Sequence, residues 1–176
     1  GKSLAARPMD EGIRFLKEKG VNVTGPWPIK TKGRLAFECA EISAETTGQF
    51  ATGALLAAAA QNQGATLTVK HPVSRPYIHM TAALITEAGI AVDEKHDVFI
   101  VKKGEIHATS PEIEGDWSHA AAFIVANEMT SRIRLENLPV RSLQGDSEIY
   151  KHIQSIKAHT PVDLTHTPDL LMALAV

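Results

Sequence analysis

One plan recurs along this chain, and it limits the available folds more than any single motif does. "RPMDEGIRFLKEKGVNV" (7–23) and "RPYIHMTAALITEAGIAV" (75–92) each run Arg-Pro, amphipathic helix, Gly stop, β-branched strand, with their arginines 68 positions apart. A third arginine, Arg141, opens "RSLQGDSEIYKHIQSI" another 66 positions on, again at the head of a helical pattern. Alanine-rich helices lie between, "TTGQFATGALLAAAA" (46–60) and "GDWSHAAAFIVANEM" (115–129), with Gln49 and His119 in similar places 70 positions apart. Each alanine helix is followed by a strand pattern, "ATLTVKH" or "RIRLENL". Two helix types alternating with short strands predict an α/β (α+β) chain in which a βαβαββ-like unit of roughly seventy residues is used more than once.

The third round is short. "TPDLLMALAV" (167–176) reads as another alanine-type helix, yet Asp169 follows His119 by only 50 positions. About 20 residues, enough for a strand pair, are lacking relative to the repeat. The gap falls near "IKAHTPVDL" (156–164), and the final apolar helix has no C-cap and no polar tail. The pattern predicts a fragment, or a chain with an internal omission near 156–162; a naturally short repeat is the alternative.

Composition excludes some partners. With 176 residues, 44% of them hydrophobic, and a net charge of -2, the chain can bury a core but lacks the basic excess of a nucleic-acid binder. No apolar run approaches the length that crosses a bilayer. Small molecules or other proteins are therefore the expected partners. The single cysteine, Cys39, excludes an internal disulfide framework and, with no signal-peptide pattern ahead of the first helix, predicts a cytoplasmic protein. Cys39 sits in a strand-like "LAFECAEI" and is expected to be a buried apolar filler. Trp27 and Trp117 read as packing residues. The eight histidines show no paired ligand spacing, and neither a P-loop nor a GxGxxG is present, so neither a metal nor a nucleotide cofactor is expected.

The candidate functional residues gather at helix starts: Arg7, Thr47 to Gln49, Ser74 to Tyr77, Asp116 and Asp169. Backbone N–H groups and the positive dipole end make such places anion sites, and arginine grips phosphate or carboxylate bidentately. Several such sites would suit a phosphorylated, carboxylated small substrate. Each also has a plainer reading: Ser74 and Asp116 as helix caps, Arg7 as a solvated charge, Gln49 as a backbone hydrogen-bonding group.

Taken together, the motifs resemble those of the 5-enolpyruvylshikimate-3-phosphate synthase family. "SRPYIHMT" is similar to its Ser-(Arg/Lys)-Pro-Tyr-Ile-x-Met-Thr segment and "GKSLAARPM" to its Gly-x-x-Ser-Leu-x-x-Arg-Pro-Met. "TTGQF" resembles its Ser-Ser-Gln-Phe, "EGDWSHAAAF" its Glu-Gly-Asp-x-Ser-x-Ala-x-x-Phe, "SLQGD" its Gln-Gly-Asp, and "VDLTHTPDLLMALAV" the segment carrying its Pro-Asp. The matches keep the family's order and span nearly the whole chain.

The resemblance implies transfer of the enolpyruvyl group of phosphoenolpyruvate to the 5-hydroxyl of shikimate 3-phosphate, with release of phosphate, in the shikimate pathway to chorismate and aromatic amino acids. It implies a fold of two lobes, each an inside-out α/β barrel of βαβαββ units, closing on substrate at the hinge. Residues 1–110 would belong to the first lobe and 111–176 to the second, crossing near "TSPEIEGD". Arg7 matches a phosphoenolpyruvate-binding arginine. Thr47, Gly48 and Gln49 match the shikimate 3-phosphate-binding Ser-Ser-Gln, with Gln49 also touching phosphoenolpyruvate; Ser74 and Tyr77 match further shikimate 3-phosphate contacts. Asp169 matches the substrate-binding aspartate assigned as proton acceptor. Gly48 departs from the pattern, so one hydroxyl contact must be lost or replaced by backbone N–H or water.

Other parts of the family's apparatus, its opening Lys-Ser phosphate site and later Glu, Arg and Lys residues, have no counterpart here. The chain alone is therefore expected to bind substrates poorly and not to turn over, the missing segments of its own full-length chain being its partners. The alternatives are a UDP-N-acetylglucosamine enolpyruvyl transferase, which shares the fold, and a non-catalytic scaffold of the same units. Against the former, no cysteine precedes Arg7 and "SRPYI" is not its pattern.

Overall fold

The computed structural model describes residues 6–25, 27–130 and 132–176; the opening "GKSLA" of the first motif and Pro26 beside Trp27 lie outside the described residues. The chain is mixed α and β and divides into two compact units. One holds the described residues up to Val73 with Thr81–Thr109; the other holds Ser74–Met80 with Ser110–Val176.

The first unit begins with helix α1 (Asp10–Glu18), whose acidic first turn and Lys17 in the last turn complement its dipole. α1 buries Phe15, which meets Phe37 edge-on with ring centres 5.5 Å apart. Gly20 follows at φ +82, and an antiparallel ribbon pairs β1 (Asn22–Thr24) with β2 (Lys30–Lys32).

A strand–helix–strand–helix–strand–strand run comes next: β3 (Cys39–Ser43), α2 (Gln49–Ala60), β4 (Ala65–Lys70), α3 (Arg75–Glu87), β5 (Val92–Lys95) and β6 (Val98–Val101). The sheet order is β3-β4-β6-β5, with β3 and β4 parallel and the other pairs antiparallel. A parallel pair needs a crossover, which α2 provides. Period-two alternation turns Ala40 and Ile42, then Ala65, Leu67 and Val69, then Phe99 and Val101, into the core. α2 meets these strands with Leu55 and with Ala51, Ala54, Ala58 and Ala59, whose small side chains allow a close approach. The same alternation puts Cys39 on the outer face of β3: it is exposed and is not the core filler expected from its apolar neighbours.

Gln61 closes α2. Its buried side chain accepts from Phe37 N–H at 3.0 Å and donates to Phe37 O at 2.7 Å and Gly64 O at 2.9 Å. Gly64 has φ +75, and a Cβ there would lie 2.6 Å from Val101 O, so glycine is required.

Among the described residues the second unit has no strand. It contains α4 (Trp117–Met129), a 3-10 turn (Gly145–Glu148) leading into α5 (Ile149–Lys157), and a second 3-10 turn (Pro168–Leu170) leading into α6 (Leu171–Leu174). Trp117, Ala121, Ile124, Ile149, Ile153 and Leu170 form its core. The strand expected over "RIRLENL" is absent, and Asn127 gives a physical reason: its amide accepts from Ile133 N–H and donates to Ile133 O, both at 2.7 Å. A side chain thus takes the hydrogen bonds that a neighbouring strand would make. No helix of the described residues is long and apolar enough to cross a membrane.

Candidate functional site

In the first unit, Thr47, Gly48 and Gln49 stand together at the amino end of α2. Thr47 Oγ1 accepts from Gln49 N–H at 3.3 Å, satisfying one of the helix's unpaired donors. Gly48 is the N-cap residue with φ -74 and ψ -10, and its carbonyl accepts from Thr52 N–H at 3.0 Å. Gln49 is exposed and lines an apolar groove of about 470 Å³ with Met9, Ile13, Trp27, Leu35 and Phe50. Arg7 is exposed three residues ahead of α1.

In the second unit the first turn of α3 carries Ser74 to Tyr77. Ser74 has φ +51, in the left-handed region, and so lacks the extended backbone of a helix N-cap expected from its position. Its N–H donates to Thr165 O at 3.3 Å, and its carbonyl accepts from Tyr77 N–H at 3.1 Å. Arg75 Nε donates to His79 Nε2 at 3.2 Å, one helical turn on.

Tyr77 Oη donates to Asp146 Oδ2 at 2.6 Å and lies 3.4 Å from Ser118 Oγ, which donates to the same carboxylate oxygen. Asp146 is fully buried. Burial, reinforced by the hydrogen bond to Asp146 and by the charges of Asp146 and Asp169, holds the Tyr77 phenol well above its ordinary range, so it stays protonated. Asp169 itself is exposed, held between buried Thr167 and Leu170; Thr167 Oγ1 lies 3.2 Å from His152 Nε2. Asp169 and Ser118 share a groove of about 320 Å³ with Ala122, Val125, Met129 and Met172.

Two motif segments lock this cluster in place. Gln144 accepts from Trp117 N–H at 2.9 Å and donates to Glu114 Oε1 and Gly115 O, each at 2.8 Å, so "EGDWS" and "SLQGD" are tied to each other. A Cβ on Gly145 would lie 2.9 Å from Pro76 Cβ and Cγ; glycine here lets Asp146 come close to the first turn of α3. Asp116 caps α4, accepting from His119 N–H at 3.0 Å with its other oxygen 2.7 Å from His119 Nδ1. The His119 N–H bond is the main cause that lowers its carboxyl below the usual range.

The sequence profile of EPSP synthase (3-phosphoshikimate 1-carboxyvinyltransferase) matches residues 1–175. The chain belongs to the EPSP synthase family. It is similar to the 3-phosphoshikimate 1-carboxyvinyltransferase of Pyrococcus furiosus, 33% identical over 199 aligned residues covering 99% of this chain and 48% of the relative. The enzymes of that name from Methanosphaera stadtmanae and Thermococcus kodakarensis are each 31% identical. The first alignment covers 92% of this chain and 41% of the relative, the second 82% and 36%. The chain spans less than half the length of each of these relatives.

Of the residues singled out for this EPSP synthase-family chain, α2 brings Thr47, Gly48 and Gln49 together, the second unit brings Tyr77 within the electrostatic reach of Asp169, and Arg7 precedes a different helix. Ser118, Gln144 and Asp146 join this cluster without an Arg-Pro or Pro-Asp mark of their own. They lie in "EGDWSHAAAF" and "SLQGD", two of the segments that carry the EPSP synthase resemblance.

Proposed function

We propose that the protein transfers the enolpyruvyl group of phosphoenolpyruvate to the 5-hydroxyl of shikimate 3-phosphate, releasing phosphate. The observation that carries this reading is the family match across residues 1–175, which takes in every candidate site residue. In it, Arg7 and Gln49 bind phosphoenolpyruvate, and Thr47, Gly48, Gln49, Ser74, Tyr77 and Asp169 bind shikimate 3-phosphate. The repeated βαβαββ units, the inside-out barrel lobes and the assignment of residues 1–110 and 111–176 to separate lobes belong to the same proposal, as does a cytoplasmic setting.

The chemistry asks little beyond proton transfer and charge neutralisation. A proton adds to the methylene carbon of phosphoenolpyruvate, the 5-oxygen bonds to the adjacent cationic carbon, and Asp169 takes the hydroxyl proton. Loss of a methyl proton with departure of phosphate then restores the double bond. The exposed carboxylate of Asp169, on a turn fixed by buried Thr167 and Leu170, fits the role of acceptor. The amide-rich start of α2 and the guanidinium of Arg7 suit the anionic groups of both substrates.

The test is ligand-induced stabilisation of the 176-residue chain, alongside phosphate release. Shikimate 3-phosphate at one hundred times its dissociation constant should stabilise the fold by about 2.7 kcal/mol. UDP-N-acetylglucosamine should not stabilise it. Because the chain spans less than half the length of its relatives, binding is expected to be weak and phosphate release absent. Stabilisation by UDP-N-acetylglucosamine and not by shikimate 3-phosphate would overturn the substrate assignment. Turnover by the chain alone would overturn the expectation of inactivity.

A further inference from the structure

Asp146 has no exposed surface, and one of its oxygens, Oδ1, is buried without a hydrogen-bond partner. Its other oxygen receives two hydroxyl protons, from Tyr77 and from Ser118. A buried carboxylate held by two neutral donors is an expensive arrangement, and an apolar residue of similar size would often stabilise the core as well or better. Gly145 is also given up to it, since any side chain there would push Pro76 away. What the carboxylate provides, and an apolar residue cannot, is direction.

A phenol and a serine hydroxyl each own a single proton. With both protons aimed inward at Oδ2, Ser118 Oγ keeps only lone pairs for a group arriving in the groove it lines. Both hydroxyls are part-buried, and Ser118 borders the groove that holds Asp169. A surface so polarised accepts hydrogen bonds from ligand hydroxyls and disfavours phosphate or carboxylate oxygens, which need donors. We infer that Asp146 is a positioning and specificity-determining residue: by drawing the Tyr77 and Ser118 protons to one oxygen, it leaves Ser118 as a hydrogen-bond acceptor for the ring hydroxyls of the substrate. The ligand side of this inference rests on shikimate 3-phosphate being that substrate; the direction of the two hydroxyl protons does not.

The chain has two tyrosines, Tyr77 and Tyr150, so a Tyr150→Phe background isolates Tyr77 for Raman spectroscopy. The intensity ratio of the tyrosine Fermi doublet separates a strongly donating phenol from an accepting one. In that background Tyr77 should give the donor signature, and Asp146→Leu should abolish it. Asp146→Asn, checked like the first for native circular dichroism, should weaken it and serves if the leucine variant does not fold. An unchanged ratio in a folded variant would overturn the inference.

Isothermal titration adds the ligand arm. Asp146→Leu, or Asp146→Asn in its place, should weaken shikimate 3-phosphate by about ten-fold, about 1.4 kcal/mol, while inorganic phosphate binds equally or more tightly. An equal loss for both ligands would mean plain structural damage and would also overturn it. If shikimate 3-phosphate binds neither the parent nor the variant, the substrate reading fails. The Raman ratio still decides whether Asp146 holds the phenol proton.

Discussion

Gly48 stands where the family pattern carries a hydroxyl, and its φ of -74 and ψ of -10 are values any L residue adopts. Nothing in its backbone requires glycine, so Gly48→Ser carries no φ/ψ strain, and the backbone freedom it removes from the unfolded chain is worth about 0.5 kcal/mol. Under the proposed function, a serine hydroxyl here should tighten shikimate 3-phosphate by about ten-fold, measured by titration calorimetry. Unchanged affinity would mean that a backbone N–H or water already serves that contact. Site legibility at this scale was uneven. Tyr77 and Asp169 stand out in the sequence because the first lies in an unusual "SRPY" turn and the second follows a proline at a helix start. Asp146 and Ser118 carry no such local mark. Pro76 comes close to Gly145 across 69 positions of the chain, beside the buried carboxylate, and no local pattern encodes that approach. The cap reading of Ser74 fails for a similar reason: its φ of +51 accompanies a hydrogen bond from its N–H to distant Thr165.

Elements follow the chain's local chemistry more closely, and their ends can be tested. Asp116→Ala removes the N-cap of α4 and should cost about 1 kcal/mol, lowering the thermal midpoint by about 3 °C. The folded-state pKa of Asp116 is depressed, so its contribution is complete above the unfolded value of about 4 and is lost as pH falls through the folded value. Parent and variant should therefore differ in urea midpoint at pH 7 and converge as the pH drops below about 4. A difference that persists at pH 2.5 would assign the effect to something other than the carboxylate. Gly64→Ala is the harsher case. With φ +75 and Val101 O 2.6 Å from the new Cβ, the join between α2 and β4 must open, and a loss of about 2–3 kcal/mol is expected by denaturant titration. Gly stops and apolar spacing made α1, α2, α3 and β4 readable. The β5–β6 turn has no such marker: His96 and Asp97 take φ +48 and +64 without a glycine between them. The false strand over "RIRLENL" shows the opposite failure, since β-branched alternation cannot reveal that Asn127 has already claimed the backbone of Ile133.

On the scale of the whole molecule, α3 is one continuous helix whose first six residues belong to one compact unit and whose remainder belongs to the other. A linear reading does not anticipate that, because helical periodicity runs unbroken through Met80. Surface composition points the same way as the chain's short span relative to its relatives. α4 buries Trp117, Ala121 and Ile124 on one side and still leaves Phe123 49% and Met129 62% exposed on the other, with Met172 81% exposed in the same unit. α2 leaves Leu56 52% exposed opposite its core face. Helices apolar on every side are characteristic of interiors, and large apolar side chains left in water favour association. The 176-residue chain should therefore self-associate at micromolar concentration, sedimenting well above 19.0 kDa and enhancing the fluorescence of an apolar-surface dye. Replacing Phe123, Met129 and Met172 together by glutamate should return it to monomer and abolish the dye signal. The thermal midpoint should change by less than about 3 °C, because surface substitutions away from packed contacts cost little. A parent chain that sediments as a 19.0 kDa monomer at 100 µM with no dye response would show that these side chains need no cover.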